Sequence, residues 1–213
     1  MANFISFREA LLPIGAFTIY QAEAFSNGVD RSTITRWVSK GYLIRLRRGL
    51  YTFPELTQSA NFNLFLSSVI YSPSYISTHY ALAFYDIIPE AVTEITAVST
   101  MKTATFRNKT GNYSYNSISK SLFWGYELRN LPDGKSFGLA TPEKALIDLL
   151  HLYPFYKTEE DMIELRLDEN FMEEDLNTER MGQYLAKAHS KTLCKRMETV
   201  FNAYGLSPLL IKV

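Results

Sequence analysis

The fold of this chain is decided by residues 17–53, FTIYQAEAFSNGVDRSTITRWVSKGYLIRLRRGLYTF. Thr18 is a good N-cap for a short first helix, and Asp30 caps a second helix that Gly41 ends. The residues that follow predict two short strands joined by a tight turn at residues 47–49. Helix, turn, helix and hairpin in this order are typical of a winged helix-turn-helix.

The second helix presents two contrasting faces. Ile34, Trp37 and Val38 recur at helical spacing, so we expect them to be buried together. The other face carries short polar side chains and one arginine: Ser32, Thr35, Arg36 and Ser39. Such a face can enter the major groove of DNA, which is about 12 Å wide, and bond to base edges. We therefore predict that these four residues read the DNA sequence.

Positive charge is concentrated in the same stretch. The whole chain has 22 basic and 22 acidic residues and no net charge. Between Asn27 and Phe53, six basic residues stand against a single acid, a local charge of +5. The basic residues are Arg31, Arg36, Lys40, Arg45, Arg47 and Arg48. Apart from Arg36, we expect them to hold DNA phosphates or to enter the minor groove. The alternative is a small helical subdomain with a solvated basic edge.

Length and composition are those of a globular protein with one large or two small domains. The chain has 213 residues, of which 46% are hydrophobic and 14% aromatic. Its single cysteine, Cys194, excludes a disulfide framework. The N-terminus shows no basic segment followed by an apolar run, and no stretch approaches ~20 consecutive apolar residues. We therefore expect a soluble, cytoplasmic protein that has no membrane partner.

The polar segment PELTQSA at residues 54–60 marks the expected domain boundary. It separates a winged helix-turn-helix domain at 1–56 from a C-terminal domain at 57–213. In the second domain, alternating segments predict the strands of an antiparallel sheet. These segments are 94–100, 102–108, 112–118, 122–128 and 135–140. Thr141 then caps an apolar helix. The predicted fold class is α+β, with a winged helix-turn-helix followed by an α+β domain that has an antiparallel sheet and a helical tail.

The tail is distinguished by its charge. Residues 159–179 contain ten acids and one base, Arg166. Apolar residues interleaved among the acids predict amphipathic helices. The acids then form either an ordinary solvated face or, as a functional alternative, a surface for a basic partner.

Aromatic residues are dense in the predicted sheet. Phe106 and Tyr113 lie near Lys102, Arg107 and Lys109 in the sequence. If exposed, these rings could stack the bases of single-stranded nucleic acid. Alternating aromatics more commonly pack a sheet against its helices, and packing is what we expect here.

The residue patterns of known catalytic and cofactor sites are missing from the sequence. His79, His151 and His189 do not have metal-ligand spacing. No Gly-rich phosphate loop and no G-x-S-x-G motif occurs. Cys194 has no nearby histidine, so we expect an ordinary thiol. We therefore expect no enzymatic activity, no cofactor and no metal.

Four segments of the chain together resemble the AbiEi-type antitoxins, the winged-helix regulators of type IV, abortive-infection toxin–antitoxin systems. They are KGYLIRLRRGLYTFP (40–54), SYISTHYALAFYDIIPE (74–90), GNYSY (111–115) and ATPEKALIDLL (140–150). The resemblance covers roughly residues 15–153, and the tail beyond has no matching motif. It implies a two-domain protein that binds double-stranded DNA at its own promoter and represses its own transcription. It also implies neutralisation of a nucleotidyltransferase-like toxin.

Two other hypotheses remain open. The chain could be a winged-helix regulator without a toxin, whose second domain senses a ligand or dimerises. It could also be a protein-interaction module whose winged helix contacts no DNA. A neighbouring gene for a nucleotidyltransferase favours the antitoxin, and DNA binding that depends on Arg47 and Arg48 excludes the interaction module.

Overall fold

The computed structural model of the chain describes residues 3–25 and 28–207. Within these ranges the chain is α+β. The helices are α1 (Phe4–Leu11), α2 (Ile19–Phe25), α3 (Arg31–Ser39), α4 (Ala60–Ile70), α5 (Thr78–Phe84), α6 (Pro142–Leu152), α7 (Glu159–Ile163), α8 (Thr178–Ala188) and α9 (Lys191–Ala203). The strands are β1 (Ala16–Thr18), β2 (Ile44–Arg47), β3 (Leu50–Thr52), β4 (Ser74–Ile76), β5 (Ile95–Ser99), β6 (Ala104–Asn108), β7 (Gly111–Ser117), β8 (Tyr126–Asn130) and β9 (Ser136–Ala140). None of the helices in the described ranges has the length and apolar character needed to cross a membrane.

The first three helices and a small sheet form an N-terminal unit, residues 4–53. Its strands are antiparallel in the order β1-β3-β2. The predicted sequence of helix, helix and hairpin is present, and β1 adds a strand that the sequence did not predict. Three residues are too few to show the alternation by which strands are recognised. The unit has its own hydrophobic cluster: Phe7, Leu11, Phe17, Ile19, Ala22, Val29, Ile34, Trp37, Leu43 and Phe53.

Local capping explains where α2 begins, and where α3 begins and ends. The backbone N–H of Thr18 donates to Gln21 Oε1 at 2.8 Å, and the N–H of Gln21 donates back to Thr18 Oγ1 at 3.3 Å. Asp30 accepts a bond from the N–H of Thr33 at 2.8 Å and so caps α3. At the other end, Gly41 has a φ of 75° and follows the last turn of α3. These contacts determine where α3 begins and ends, and the helix is therefore short.

The second sheet is mixed, so the predicted all-antiparallel sheet is wrong. Its six strands have the order β6-β7-β5-β4-β9-β8. Two of the five pairings, β5 with β7 and β4 with β9, are parallel. Alternation in the sequence identifies each strand, but it does not say which strands are neighbours. The predicted strand 122–128 also begins later, at Tyr126, because a 3-10 turn occupies Lys120–Leu122.

Helices α4 and α6 cover opposite faces of this sheet. Tyr115 donates through Oη to the Ser67 carbonyl of α4 at 2.6 Å, whereas Tyr75 donates to Asp148 of α6 at 3.0 Å. On β5, the register partners of these tyrosines are the adjacent residues Ala97 and Val98. Since successive residues of a strand point to opposite faces, the two helices lie on opposite sides of the sheet.

The tail is helical, as predicted, and packs on the α6 side. Arg196 of α9 donates to the Leu150 carbonyl of α6 at 2.6 Å. Apolar residues of the tail are buried: Met162, Leu165, Leu167, Met172, Leu176, Met181, Leu185, Leu193, Met197, Val200 and Phe201. Ile163 is an exception and is 55% exposed. The acids of residues 159–179 are exposed, apart from the partly buried Asp161.

The N-terminal unit contacts the opposite, α4 side. Arg47 Nε donates to the carbonyl of Ile70, the last residue of α4, at 2.6 Å. Asn108 Nδ2 of β6 donates to the Leu46 carbonyl of β2 at 3.0 Å. Leu46 and Leu50 pack into the larger hydrophobic cluster of the second part of the chain. The N-terminal unit and the acidic tail therefore lie on opposite sides of the six-stranded sheet. The outermost residues of both expected domains (1–2 and 208–213), and residues 26–27, lie outside the described part of the chain.

Candidate nucleic-acid interface

Helix α3 turns its small polar face to solvent. Ser32, Thr35, Arg36 and Ser39 are all exposed. On the other side, Ile34 is 1% and Trp37 is 5% exposed, and Trp37 packs against Phe7 with ring centroids 4.7 Å apart. The exposed face is as predicted, and of the three residues expected to be buried Ile34 and Trp37 are, whereas Val38 is partly buried. The exposed face is free of the core and available to a partner.

The three hydroxyl groups of this face donate within the helix region itself. Ser32 Oγ donates to the Asp30 carboxylate, with oxygen–oxygen distances of 2.9 and 3.0 Å. Thr35 Oγ1 donates to the Arg31 carbonyl, and Ser39 Oγ donates to the Arg36 carbonyl, both at 2.8 Å. Their oxygens can still accept a bond from a base amino group. The hydroxyl protons, in contrast, are already engaged.

The Arg36 guanidinium differs from the three hydroxyl groups of this face. Within the described residues, its side chain makes neither a hydrogen bond nor an ion pair, and it is exposed. A guanidinium carries five N–H donors in a planar fork, which matches the two acceptors on the major-groove edge of guanine. Arg36 is therefore the group on this face with the greatest free capacity to bond to a base.

The hairpin of β2 and β3 carries three arginines near its turn. Arg45 and Arg48 are exposed there. Arg47, which we expected to hold a phosphate, is exposed as well, and it donates through Nε to the Ile70 carbonyl and through Nη1 to the Arg48 carbonyl, the latter at 3.3 Å. The last carbonyls of a helix have no partner within the helix, so a nearby arginine finds a strong acceptor there. In this structure Arg47 fixes the hairpin against α4.

A basic groove of about 670 Å³ runs between the hairpin and strand β6. It is lined by residues 45–48 on one side and 105–109 on the other. Exposed Arg107 and Lys109 thus join Arg45 and Arg48 in one groove. The sequence suggested Arg107 and Lys109 only as neighbours of a possible stacking surface for single-stranded nucleic acid, and it did not place them beside the hairpin. The two sides are held together by a bond between residues 62 positions apart, and no local pattern predicts such a contact.

The remaining predicted residues lie at the two ends of α3. Arg31 is the first residue of the helix and Lys40 follows its last residue, and both are exposed. Together with Arg45 and Arg48 they place positive charge around the polar face. Positive side chains around a helix face can neutralise the phosphates that border a groove.

One protein family has a model that matches residues 7–54, and it is described as a transcriptional regulator, AbiEi antitoxin. The resemblance to AbiEi-type antitoxins is confirmed in this segment. The matched residues include the second half of α1, all of α2 and α3, and the hairpin. No curated protein matches the chain.

The AbiEi match includes all nine residues predicted to contact DNA, since these lie between Arg31 and Arg48. It does not include Arg107 and Lys109, nor the tail. The family description is that of a regulator and antitoxin, and its helix-turn-helix-like region agrees with the α+β fold seen here.

Aromatic residues of the second sheet serve packing. Tyr113 is fully buried and Tyr115 is 1% exposed. Burial raises the pKa of Tyr113 to about 12 and raises the pKa of Tyr115 as well. Phe106 is partly buried and packs edge-on against Tyr115 at 5.8 Å. The expectation that these rings pack the sheet is confirmed, and they present no stacking surface beside Arg107.

A buried polar cluster joins α6 to the second sheet. Lys144 and Asp148, one helical turn apart, form an ion pair whose side chains are 0% and 1% exposed. Tyr75 Oη and Ser77 Oγ also donate to Asp148, at 3.0 and 2.7 Å. Burial lowers the pKa of Lys144 and raises that of Asp148, and their mutual attraction opposes both shifts. The cluster fixes α6 against β4.

The histidines and the cysteine are separate from one another. Among the described residues, no three His, Cys, Asp or Glu side chains come together in a way that could hold a metal ion. Cys194 is buried, as expected. His79 is partly buried and packs edge-on against Tyr153, and burial lowers its pKa. Cys194 and His79 contribute to packing, whereas His151 and His189 are exposed.

Proposed function

We propose that the chain is a DNA-binding transcriptional regulator of the AbiEi type, and that residues 1–56 form a winged helix-turn-helix domain. The observation that carries this proposal is the exposed polar face of α3, which is bordered by basic residues and lies in the segment matched by the AbiEi family. In this arrangement α3 enters the major groove and the hairpin is the wing that follows the adjacent backbone.

The roles of the residues follow from their partners in the chain. Arg36 has free donors and reads a base, while Ser32, Thr35 and Ser39 accept bonds from base amino groups. Exposed Arg31, Lys40, Arg45 and Arg48 hold phosphates. Arg47 positions the wing through its bond to Ile70.

The second part of the proposal concerns residues 57–213. We infer that they form the antitoxin domain, which neutralises a nucleotidyltransferase-type toxin. The description of the matched family as an antitoxin supports this role. The acidic tail lies across the sheet from α3, so a partner on that side leaves the DNA interface free. The regulated promoter is the protein's own.

DNA binding is tested by titrating the full chain onto the DNA upstream of its own gene, with random DNA of equal length for comparison. We expect salt-sensitive binding that prefers the upstream DNA. The double variant Arg45→Ala/Arg48→Ala should weaken binding to both DNAs. It should also reduce the slope of log affinity against log salt concentration by about two. Lys195→Ala is the matched control, because Lys195 is exposed on α9, on the far side of the sheet.

Binding without preference, or unaffected by the double variant, contradicts the winged-helix assignment and favours a protein-interaction module. The antitoxin role is tested separately by co-expression with the nucleotidyltransferase encoded nearest to the gene. We expect growth to be rescued by the wild-type chain and equally by the double variant. Rescue by neither chain would contradict neutralisation without affecting the DNA-binding proposal.

A further inference from the structure

Strand β8 is an uncovered edge of the six-stranded sheet. It pairs with β9 on one side, and no strand of the described residues pairs with its other side. All five of its residues are exposed. The opposite edge, β6, is contacted by the hairpin through Asn108 and Leu46. β8 therefore presents a row of backbone N–H and C=O groups to solvent, which is a template for another strand.

The side chains of β8 are unusual for a protected edge. Proteins commonly shield an edge strand with charged residues, especially lysine, with proline or with a bulge, and they seldom leave a large apolar side chain exposed there. Here the central residue, Leu128, is 70% exposed, and Tyr126 is 37% exposed while its ring stacks on Tyr75 at 4.5 Å. An exposed leucine on an open edge favours association over protection.

The charges of β8 identify the partner. Glu127 and Arg129 flank Leu128, and they form an exposed ion pair with each other at 3.3 Å. If a second β8 runs antiparallel with Leu128 opposite Leu128, then Glu127 of each copy lies opposite Arg129 of the other. Opposite charges in directly facing positions stabilise a strand pair. The strand is thus complementary to itself.

Other registers lose this complementarity. A pairing centred on Glu127 places Glu127 opposite itself, and one centred on Arg129 does the same for Arg129. A parallel pairing in register places like charges opposite each other throughout. Like charges in facing positions are destabilising. Of these registers, only the antiparallel one centred on Leu128 places Glu127 of each copy opposite Arg129 of the other.

We propose that two copies of this chain associate through antiparallel pairing of their β8 strands, with the two-fold axis passing through Leu128. The two six-stranded sheets then form one continuous sheet, and the contact uses the same surface on both copies, as two-fold symmetry requires. Five-residue strands bury less than the roughly 800 Å² per partner of a standard interface. The association is therefore weak.

The test measures the mass of the full chain by sedimentation velocity at concentrations of about 1 to 100 µM, where dissociation constants of weak interfaces lie. We expect the wild type to shift from monomer to dimer over this range. Glu127→Arg alone and Arg129→Glu alone should remain monomeric, because each places like charges opposite each other. Glu198→Arg, an equal charge reversal on the exposed side of α9, should dimerise as the wild type does.

The sharpest measurement combines the two single variants. A one-to-one mixture should form heterodimers, because one strand then carries two basic and the other two acidic residues. The double variant Glu127→Arg/Arg129→Glu, in which the charges exchange places, should recover self-association. Thermal melting of each variant reports whether the fold is intact.

Several results would overturn the proposal. A wild type that stays monomeric at every concentration excludes it. So does self-association of both single variants at wild-type strength, which places the contact elsewhere on the molecule. Folded single variants that fail to associate on mixing, together with a double variant that stays monomeric, exclude the register centred on Leu128.

Discussion

At the scale of single residues, Arg36 differs from the other arginines of the proposed interface by its position on the small polar face of α3. If Arg36 forms a bidentate contact with a guanine, Arg36→Ala should weaken binding to the upstream DNA by ~1–3 kcal/mol and leave binding to random DNA nearly unchanged. Arg48→Ala should weaken both equally. Fluorescence anisotropy with the two DNAs compares the variants, and the reverse pattern would exchange the roles of the two residues.

Arg47 is predicted to matter more for stability than for DNA. Its Nε is bonded to the Ile70 carbonyl, where α4 ends. Since hydrogen bonds to charged groups contribute about 1.5–3 kcal/mol, Arg47→Ala should lower the free energy of unfolding by up to that amount. Urea denaturation measures this loss. The salt dependence of DNA binding should change less than in Arg48→Ala, and an equal change would show that Arg47 leaves Ile70 to hold a phosphate.

Asp30 links the stability of α3 to pH. The hydrogen bond from the Thr33 N–H, followed by those from its hydroxyl and from Ser32, lowers the Asp30 pKa from 3.8 to about 2. A lowered pKa stabilises the folded chain above the unfolded value, and this stabilisation is lost as the pH falls through the folded value. The melting temperature of the wild type should therefore fall towards that of Asp30→Asn between pH 4 and pH 2. A constant difference between the two proteins would contradict the cap.

At the scale of elements, the groove between the hairpin and β6 extends the proposed interface. Arg107→Ala/Lys109→Ala should weaken binding to all DNA sequences and lower the slope of affinity against salt by up to about two units. The control is Lys120→Ala/Lys195→Ala, which removes two exposed charges elsewhere. If both double variants bind alike, the groove does not contact DNA, and the interface is confined to the N-terminal unit.

The same elements show what a sequence can and cannot predict. Helix α3 was predicted because its cap, Asp30, and its periodic apolar residues are local signals. The strands of the second sheet were recognised one by one, but the parallel pairing of β5 with β7 depends on contacts between distant segments. The bond between Arg47 and Ile70 was not predicted for the same reason, because its acceptor is 23 residues away. The candidate site is therefore predictable in α3 and much less so where it meets β6.

At the scale of the whole molecule, the two proposals together predict the spacing of the DNA sites. The two-fold axis of the paired edge strands is perpendicular to the sheet where the two β8 strands meet, and it relates the two N-terminal units to each other. Each hairpin contacts β6, at the end of the sheet away from β8. With strands about 4.8 Å apart, a sheet of twelve strands separates the two hairpins by ~50 Å. That distance exceeds one turn of DNA, which is ~34–36 Å.

We therefore expect the upstream DNA to contain two inverted half-sites more than one helical turn apart, which the wild type binds cooperatively. Inserting about 5 bp between them rotates one half-site to the opposite side of the duplex and should abolish cooperativity. Inserting about 10 bp returns both half-sites to the same side of the duplex and should restore it. Glu127→Arg should bind each half-site with unchanged intrinsic affinity and without cooperativity, because its DNA interface is intact and only the β8 contact is lost. Footprinting across a protein titration distinguishes these outcomes. Cooperativity that survives in Glu127→Arg would mean that the two copies meet through another surface, or through the DNA itself.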